Sequence, residues 1–125
     1  METILKIEET TFDGKDGFII TTSDQQIKLG IQNGYACCEN WGYFMSEDDT
    51  SYFIGSKLID LKITDTLLKS NNDFDLDNIY EGDVLFVNIE TDKGLLQFVA
   101  YNAHNGYYGH EACVVSTQLN NSIYL

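Results

Sequence analysis

The chain has 125 residues, with 20 Asp and Glu against seven Lys and no Arg, which gives a formal net charge of −13 at pH 7. We expect one compact domain over residues 1–125, because a chain of this length buries roughly two thirds of its unfolded surface without disulfides or a structural metal. So large an acidic excess argues against direct binding to nucleic acid and to anionic membranes, since both require clustered cations.

The cellular location is inferred from two sequence features. No apolar run reaches the ~20 residues of a membrane span, and the N-terminus lacks the basic start and apolar run of a signal peptide. The three cysteines, Cys37, Cys38 and Cys113, are poorly spaced for a disulfide framework. We therefore expect a cytoplasmic protein with free thiols.

The first half of the chain predicts a hairpin followed by a short helix. Apolar and polar residues alternate over 18–22 and 27–31, which predicts two antiparallel strands joined through Ser23, Asp24 and Gln25. Over 46–55 the pattern changes, because Ser46 suits an N-cap, acids follow it, and Gly55 suits a left-handed helix end. The sequence therefore predicts about two turns of helix there.

The second half predicts four more strands. Their expected ranges are 58–64, 84–90, 95–101 and 112–117. A tight turn with a positive φ at Gly94 joins the middle two. The polar segment 70–83 carries five acids and is expected to be a surface excursion with a helical turn. The predicted fold class is mainly β (α+β), with a single antiparallel sheet or a small sandwich or barrel and one or two short helices.

Two segments, 34–45 and 101–110, combine aromatic rings, hydrogen-bonding side chains and glycines. Their strings CCENWGYF and HNGYYGH resemble the signature of an uncharacterised family of small proteins from bacteriophages and low-GC bacteria. The resemblance runs over about 17–115. It implies a phage or prophage origin and assigns no catalytic residue. The absence of Arg and Pro agrees with an AT-rich genome.

The same two segments are candidates for a small-ligand pocket, because such pockets combine flat apolar faces with a few polar groups. We expect them to lie side by side, with Trp41 or Tyr43 in contact with 101–110. The alternative is that the aromatic rings close a small β core and the glycines shape turns. The candidate ligand-binding residues are Tyr35, Cys38, Glu39, Asn40, Trp41, Tyr43, Asn102, His104, Asn105, Tyr107, Tyr108 and His110.

Catalytic and metal-binding patterns are weak. A cysteine-dependent enzyme would need Cys37 or Cys38 beside a histidine and an orienting amide, and the spacing does not require this. The sequence lacks the C-x₂-C pair that is typical of a zinc site. The alternate acids of 73–77 begin like a calcium loop, but Asn78 replaces its glycine and Val84 its closing Glu. We therefore predict a protein without enzymatic activity, metal or cofactor, with a cysteine-dependent enzyme as the third alternative.

Acidic residues concentrate in the middle of the chain, where 39–92 holds thirteen acids and three lysines. Acids on a compact scaffold imitate the phosphates of DNA and occupy basic clefts. Solubility is the plainer explanation for such a charge. The candidate acidic partner face comprises Glu47, Asp48, Asp49, Asp73, Asp75, Asp77 and Glu81.

These observations predict a phage-derived binding module that counters host defence in the host cytoplasm. In the favoured form, the pocket sequesters a small molecule, such as a nucleotide-derived immune signal. In the alternative, the acidic face blocks a basic surface of a host nuclease or other defence protein. The expected partner is a small molecule or a host defence protein, and homo-oligomerisation stays open.

Overall fold

The computed structural model describes residues 2–34, 40–47, 49–64, 83–103, 110–117 and 119–125. These residues form antiparallel strands and one turn of 3-10 helix, Thr50–Phe53. The strands are β1 (Ile4–Phe12), β2 (Lys15–Thr22), β3 (Gln26–Gln32), β4 (Asn40–Met45), β5 (Leu58–Thr64), β6 (Asp83–Thr91), β7 (Gly94–Ala103), β8 (Glu111–Val115) and β9 (Asn120–Tyr124).

The strands form two sheets that enclose one hydrophobic core. One sheet has the order β1-β2-β3-β8-β9 and the other β4-β7-β6-β5. Alternate residues of each strand point between the sheets, so Ile20 and Leu29 of the first meet Val87 and Phe98 of the second in one fully buried cluster. The predicted mainly β class is confirmed in its two-sheet form, and the described residues do not close into a barrel.

Both predicted hairpins are present. In the first, β2 pairs with β3, and the Thr22 Oγ1 accepts the N–H groups of Asp24 and Gln25 at 3.2 and 3.0 Å, which closes the turn. In the second, β6 pairs with β7 through a turn in which Gly94 has φ +131°, as the sequence predicts. Local alternation and turn chemistry were sufficient for both.

Three strands were not predicted, and each has an irregular sequence pattern. In β1 the register shifts between Ile4 and Lys6, which leaves Leu5 54% exposed and breaks the alternation that a strand normally shows. In the short β4 three of the six residues are aromatic, and β9 consists largely of Asn and Ser.

The predicted helix over 46–55 is wrong. Ser46 is buried and extends the β4–β7 ladder: its N–H donates to the Gln97 carbonyl at 2.8 Å, and its Oγ accepts the Gln97 N–H at 2.9 Å. The cap is Asp49, whose carboxylate accepts the Ser51 N–H at 3.0 Å and starts only a 3-10 turn. Gly55 has the expected positive φ, +88°.

The segment 70–83 lies outside the described residues except for Asp83, which begins β6. Within the part of the chain that the structure describes, no helix has the length and apolarity needed to cross a bilayer.

The two sheets are joined at one corner, where Thr3 bridges to Lys57 and the Ile4 N–H donates to the Ser56 carbonyl at 2.8 Å. This corner fixes the start of β1 against the start of β5.

Close packing of β2 on β3 gives a first testable prediction. A Cβ at Gly17 would lie 1.9 Å from the Leu29 carbonyl oxygen, so Gly17→Ala forces two hydrogen-bonded backbones apart. We expect the free energy of unfolding to fall by about 2–4 kcal/mol in urea denaturation followed by circular dichroism. Gly34→Ala is the matched control, because no described residue other than its chain neighbour lies within 4 Å of its added Cβ. Equal midpoints for the two variants would contradict the packing.

Candidate functional site

The pairing of β4 with β7 brings the two aromatic segments together. Trp41 stands opposite Asn102, and Gly42 stands opposite Tyr101. The Trp41 ring stacks on His110, with the ring centroids 5.4 Å apart and an interplanar angle of 28°. The contact expected between the two segments is therefore present.

His110 and Asn102 brace a second corner between the sheets. The His110 N–H donates to the Leu125 carbonyl at 3.0 Å, and its Nδ1 lies 2.7 Å from the Gln32 carbonyl oxygen. Because a carbonyl oxygen only accepts, Nδ1 carries the proton. The Asn102 amide donates to the same Leu125 carbonyl at 3.1 Å. Both side chains are buried, so this corner holds the main chain in place and presents little polar surface.

The described aromatic residues do not all face one pocket. Trp41 and Tyr43 point toward the core between the sheets. Tyr101 points to the opposite face of the same sheet, where it packs with Phe86 and Val99. A Cβ at Gly42 would lie 2.5 Å from the Tyr101 hydroxyl, so the phenol ring lies over this glycine. The two segments thus share a strand pair and divide between its faces.

A cavity of about 320 Å³ opens between β1 and β4. This volume is at the lower end of the range for ligand sites, which is roughly 300–1,000 Å³. The Tyr43 ring meets the edge of Phe18 at 5.8 Å between centroids. The lining residues are Ile7, Glu9, Phe18, Tyr43, Phe44, Met45, Glu47 and Thr50. The cavity therefore combines an aromatic floor with two carboxylates.

The electrostatic potential of the cavity is negative, because Glu9 and Glu47 line it. Burial, the hydrogen bond with Glu9 and the charges of Glu9 and Asp16 together raise the pKa of Tyr43 to about 12, with burial as the largest cause. Because a carboxylate only accepts, the phenol donates to Glu9 and stays protonated at neutral pH. No lysine is among the described residues that line the cavity. The site is therefore suited to a cation and unsuited to a phosphate.

A second cavity, of about 330 Å³, adjoins the first through Glu47, which lines both. Asp49 and Lys93 lie in its wall. The Lys93 ammonium donates to the Tyr52 and Ile54 carbonyls at 3.3 and 3.2 Å. A hydrogen bond from the Ser51 hydroxyl lowers the pKa of Asp49. Lys93 therefore holds the main chain of the 3-10 turn. The residue shared by the two cavities is the acidic Glu47.

Many of the sequence-predicted site residues lie outside the part of the chain that the structure describes. Of the described candidates, Tyr43 and Glu47 line the first cavity, Trp41, Asn102 and His110 form the corner, and Asn40 begins β4. The candidates outside the described residues are Tyr35, Cys38, Glu39, His104, Asn105, Tyr107, Tyr108, Asp48, Asp73, Asp75, Asp77 and Glu81.

Sequence reasoning missed the side of the cavity that β1 and β2 supply. Ile7 and Glu9 alternate correctly in β1, but the register shift near Leu5 hides this pattern at the start of the strand. The sequence predicts Phe18 in a strand and gives no sign of a role in the site. Reading the alternation from Ile7 onward would have placed Glu9 on the inner face.

Cysteine and metal chemistry find little support in the described residues. Cys113 is buried, and burial raises the pKa of its thiol, which disfavours the thiolate that nucleophilic attack requires. Cys37 and Cys38 lie outside the described residues. In the described ranges, no three His, Cys, Asp or Glu side chains are placed to hold a metal ion.

These features define a two-sheet antiparallel β protein with an acid-lined cavity between the edges of its sheets. The chain belongs to the family Domain of unknown function (DUF7448), whose model matches residues 1–114. Comparison with curated proteins and with solved structures gave no match. The family description names no activity.

The hydrogen bond between Tyr43 and Glu9 gives a second prediction. Glu9→Gln removes a negative charge from the phenol and should lower the pKa of Tyr43 below about 12, as followed by tyrosinate absorbance. Tyr43→Phe identifies which titration step belongs to this residue. Glu8→Gln is the matched control, because Glu8 pairs with Lys6 at 3.2 Å and is opposite Ile19, on the other face of β1. An unchanged titration in Glu9→Gln would contradict the contact.

The sign of the linked stability change follows from the raised pKa. The unfolded phenol titrates near its ordinary value of about 10, so between pH 10 and 12 the folded state holds a proton that the unfolded state has lost. The stability that Tyr43 contributes is fully present below pH 10 and disappears as pH rises through 12. Urea denaturation across this range should show a smaller loss in Tyr43→Phe than in the parent.

Proposed function

We propose that this protein is a non-enzymatic binding module of phage origin that counters host defence by occupying a basic surface of a host protein, such as a nuclease. The observation that carries this proposal is the cavity between β1 and β4, where Glu9 and Glu47 stand beside the aromatic rings of Phe18 and Tyr43. A lysine or arginine side chain of a partner would gain Coulomb attraction and contact with aromatic faces there.

The charge of the whole chain supports the same class of partner. A net charge of −13 produces a negative field that accelerates encounter with a basic protein and repels nucleic acid. Glu47 lines both described cavities, so the acidic surface runs from β4 toward the 3-10 turn. The complex would form in the cytoplasm of the host cell.

The phage origin and the role against host defence rest on the sequence. The motifs CCENWGYF and HNGYYGH resemble those of small phage proteins, and the chain lacks Arg and Pro, as AT-rich genomes favour. Small acidic proteins that block basic clefts are a common type of phage inhibitor, which supports the proposal by analogy.

Sequestration of a small molecule is the second candidate, and the stacking of Trp41 on His110 favours it because both motif segments meet there. A nucleotide-derived signal would also need cations for its phosphates. The lysine that lines a described cavity, Lys93, already donates to two main-chain carbonyls. Native mass spectrometry of protein purified from its host would detect a retained ligand.

The third prediction is that a labelled decapeptide of alternating Lys and Gly binds to this protein. Its fluorescence anisotropy should report binding that weakens from about 50 to about 300 mM NaCl, because exposed charges are screened over shorter distances as salt rises. Glu9→Gln and Glu47→Gln should each weaken binding by about two- to fivefold, the effect of a partly exposed ion pair. The double variant tests the cavity as a whole.

The matched control changes the net charge equally at other places. Asp24→Asn with Glu90→Gln removes two charges, from the β2–β3 turn and from a residue paired with Lys62 at 3.4 Å. We expect near-parental binding in this control. Equal weakening in both double variants would contradict a specific site and leave general attraction. Binding of a labelled cyclic dinucleotide, with no effect of Glu9→Gln on the decapeptide, would favour the second candidate.

A further inference from the structure

We infer that the basic partner binds as an extended strand added to the outer edge of β4, the edge that faces away from β7, with a Lys or Arg side chain in the cavity beside Glu9. This inference rests on the proposed function and specifies the kind of segment that the site accepts. Four observations support it: the pattern of main-chain hydrogen bonds of β4, the position of the cavity, the composition of the sheet edges, and the net charge of the chain.

The main-chain hydrogen bonds between β4 and β7 show which main-chain groups of β4 occupy its outer edge. The Ser46 N–H donates to the Gln97 carbonyl of β7 at 2.8 Å. Because successive residues of a strand direct their main-chain groups to opposite edges, Phe44 points toward β7 with Ser46, and Tyr43 and Met45 point away from it. Among the described strands, β4 pairs with β7 alone. The N–H and C=O groups of Tyr43 and Met45 therefore lie at the outer edge.

The cavity lies along that edge. Three consecutive residues, Tyr43, Phe44 and Met45, line it. Side chains of adjacent strand residues point to opposite faces, so a space in contact with three in a row runs beside the strand and does not lie on one face. Ile7 and Glu9 of β1 form the opposite wall. The cavity therefore occupies part of the position where a further strand would lie.

The composition of the edges favours β4 over the other edge strands. Natural proteins protect sheet edges with charged side chains, proline or irregularity. The edges β1 and β5 carry charges such as Lys6 and Lys62, and β9 is rich in Asn and Ser. In contrast, β4 carries no charged residue and three aromatic residues in six positions. Among the edge strands that the structure describes, β4 is the richest in aromatic residues.

Charge decides between a basic segment and a second copy of this chain. A second copy would bring another chain of net charge −13, and another Glu9, against the same cavity. A basic segment meets the opposite field. A carboxylate offers about four acceptor positions, so Glu9 accepts an ammonium group in addition to the Tyr43 phenol. In such β-strand additions, main-chain hydrogen bonds supply affinity and side-chain pockets supply specificity.

The test uses the labelled heptapeptide Thr-Val-Thr-Lys-Thr-Val-Thr and two N-methylated forms. An added strand directs every second N–H toward β4, so methylation of one alternating set of residues blocks pairing and methylation of the other set does not. We expect one form to lose about tenfold or more in affinity and the other to stay within about threefold of the parent peptide, given the loss of two or three hydrogen bonds. Equal affinities for the two forms would overturn the inference.

Two variants of the protein test the same edge from the other side. Tyr43→Ala and Tyr43→Pro both remove the ring, but only proline removes the N–H at the outer edge, and this N–H is not used by β7. We expect Tyr43→Pro to bind the heptapeptide at least about threefold more weakly than Tyr43→Ala. Circular dichroism reports whether the proline variant folds. If it does not, the methylated peptides still decide the question.

The outcomes separate this inference from the proposed function. Binding that requires Glu9 but ignores the methylation pattern would leave the proposed function standing and overturn strand addition. No effect of Glu9→Gln on either Lys peptide would overturn the proposed function, whereas a surviving methylation pattern would keep the edge as a binding surface. A concentration-dependent dimer in sedimentation, lost in Tyr43→Pro and retained in Tyr43→Ala, would identify a second copy as the occupant.

Discussion

The register between β4 and β7 decides which side chains of the site face the core. With Tyr43 opposite Ala100, the phenol enters the space between the sheets and reaches Glu9 of β1. A slip of one residue would send it to the outer face. The Gly42–Tyr101 pair opposes such a slip, because the Tyr101 ring lies over Gly42 and leaves no room for a Cβ. The cavity, the raised pKa of Tyr43 and the outer edge of β4 all depend on this register.

The two ends of β4 have different roles. At its start, Trp41 stacks on buried His110, whose N–H donates to the Leu125 carbonyl and whose Nδ1 donates to the Gln32 carbonyl. This packing gives Trp41 and His110 a structural role at the corner between the sheets. Toward its end, Tyr43 lines an open cavity with two carboxylates. The packed corner and the cavity therefore lie at opposite ends of the same strand.

The charge of the described cavity lining favours positively charged ligand groups over negatively charged ones. The described lining of the cavity contains Glu9 and Glu47, and Tyr43 stays neutral because burial, Glu9 and Asp16 disfavour its anion. A phosphate would be repelled there, so a nucleotide-derived ligand fits this cavity less well than a basic side chain. Both hypotheses from the sequence remain proposals, and the charge of this cavity supports the one with a basic partner.

The sequence by itself determined the mainly β class, both hairpins and the positive φ of Gly94, because these features depend on alternation and turn chemistry within a few residues. It also predicted a contact of Trp41 or Tyr43 with the segment 101–110, and the structure shows Trp41 stacked on His110. Only the tertiary structure decided that Ser46 extends a ladder with Gln97 and caps no helix. It alone placed Glu9 beside Tyr43. That contact joins strands from different sheets, and its existence depends on the register shift in β1 and on how the sheets pack, which no local pattern encodes.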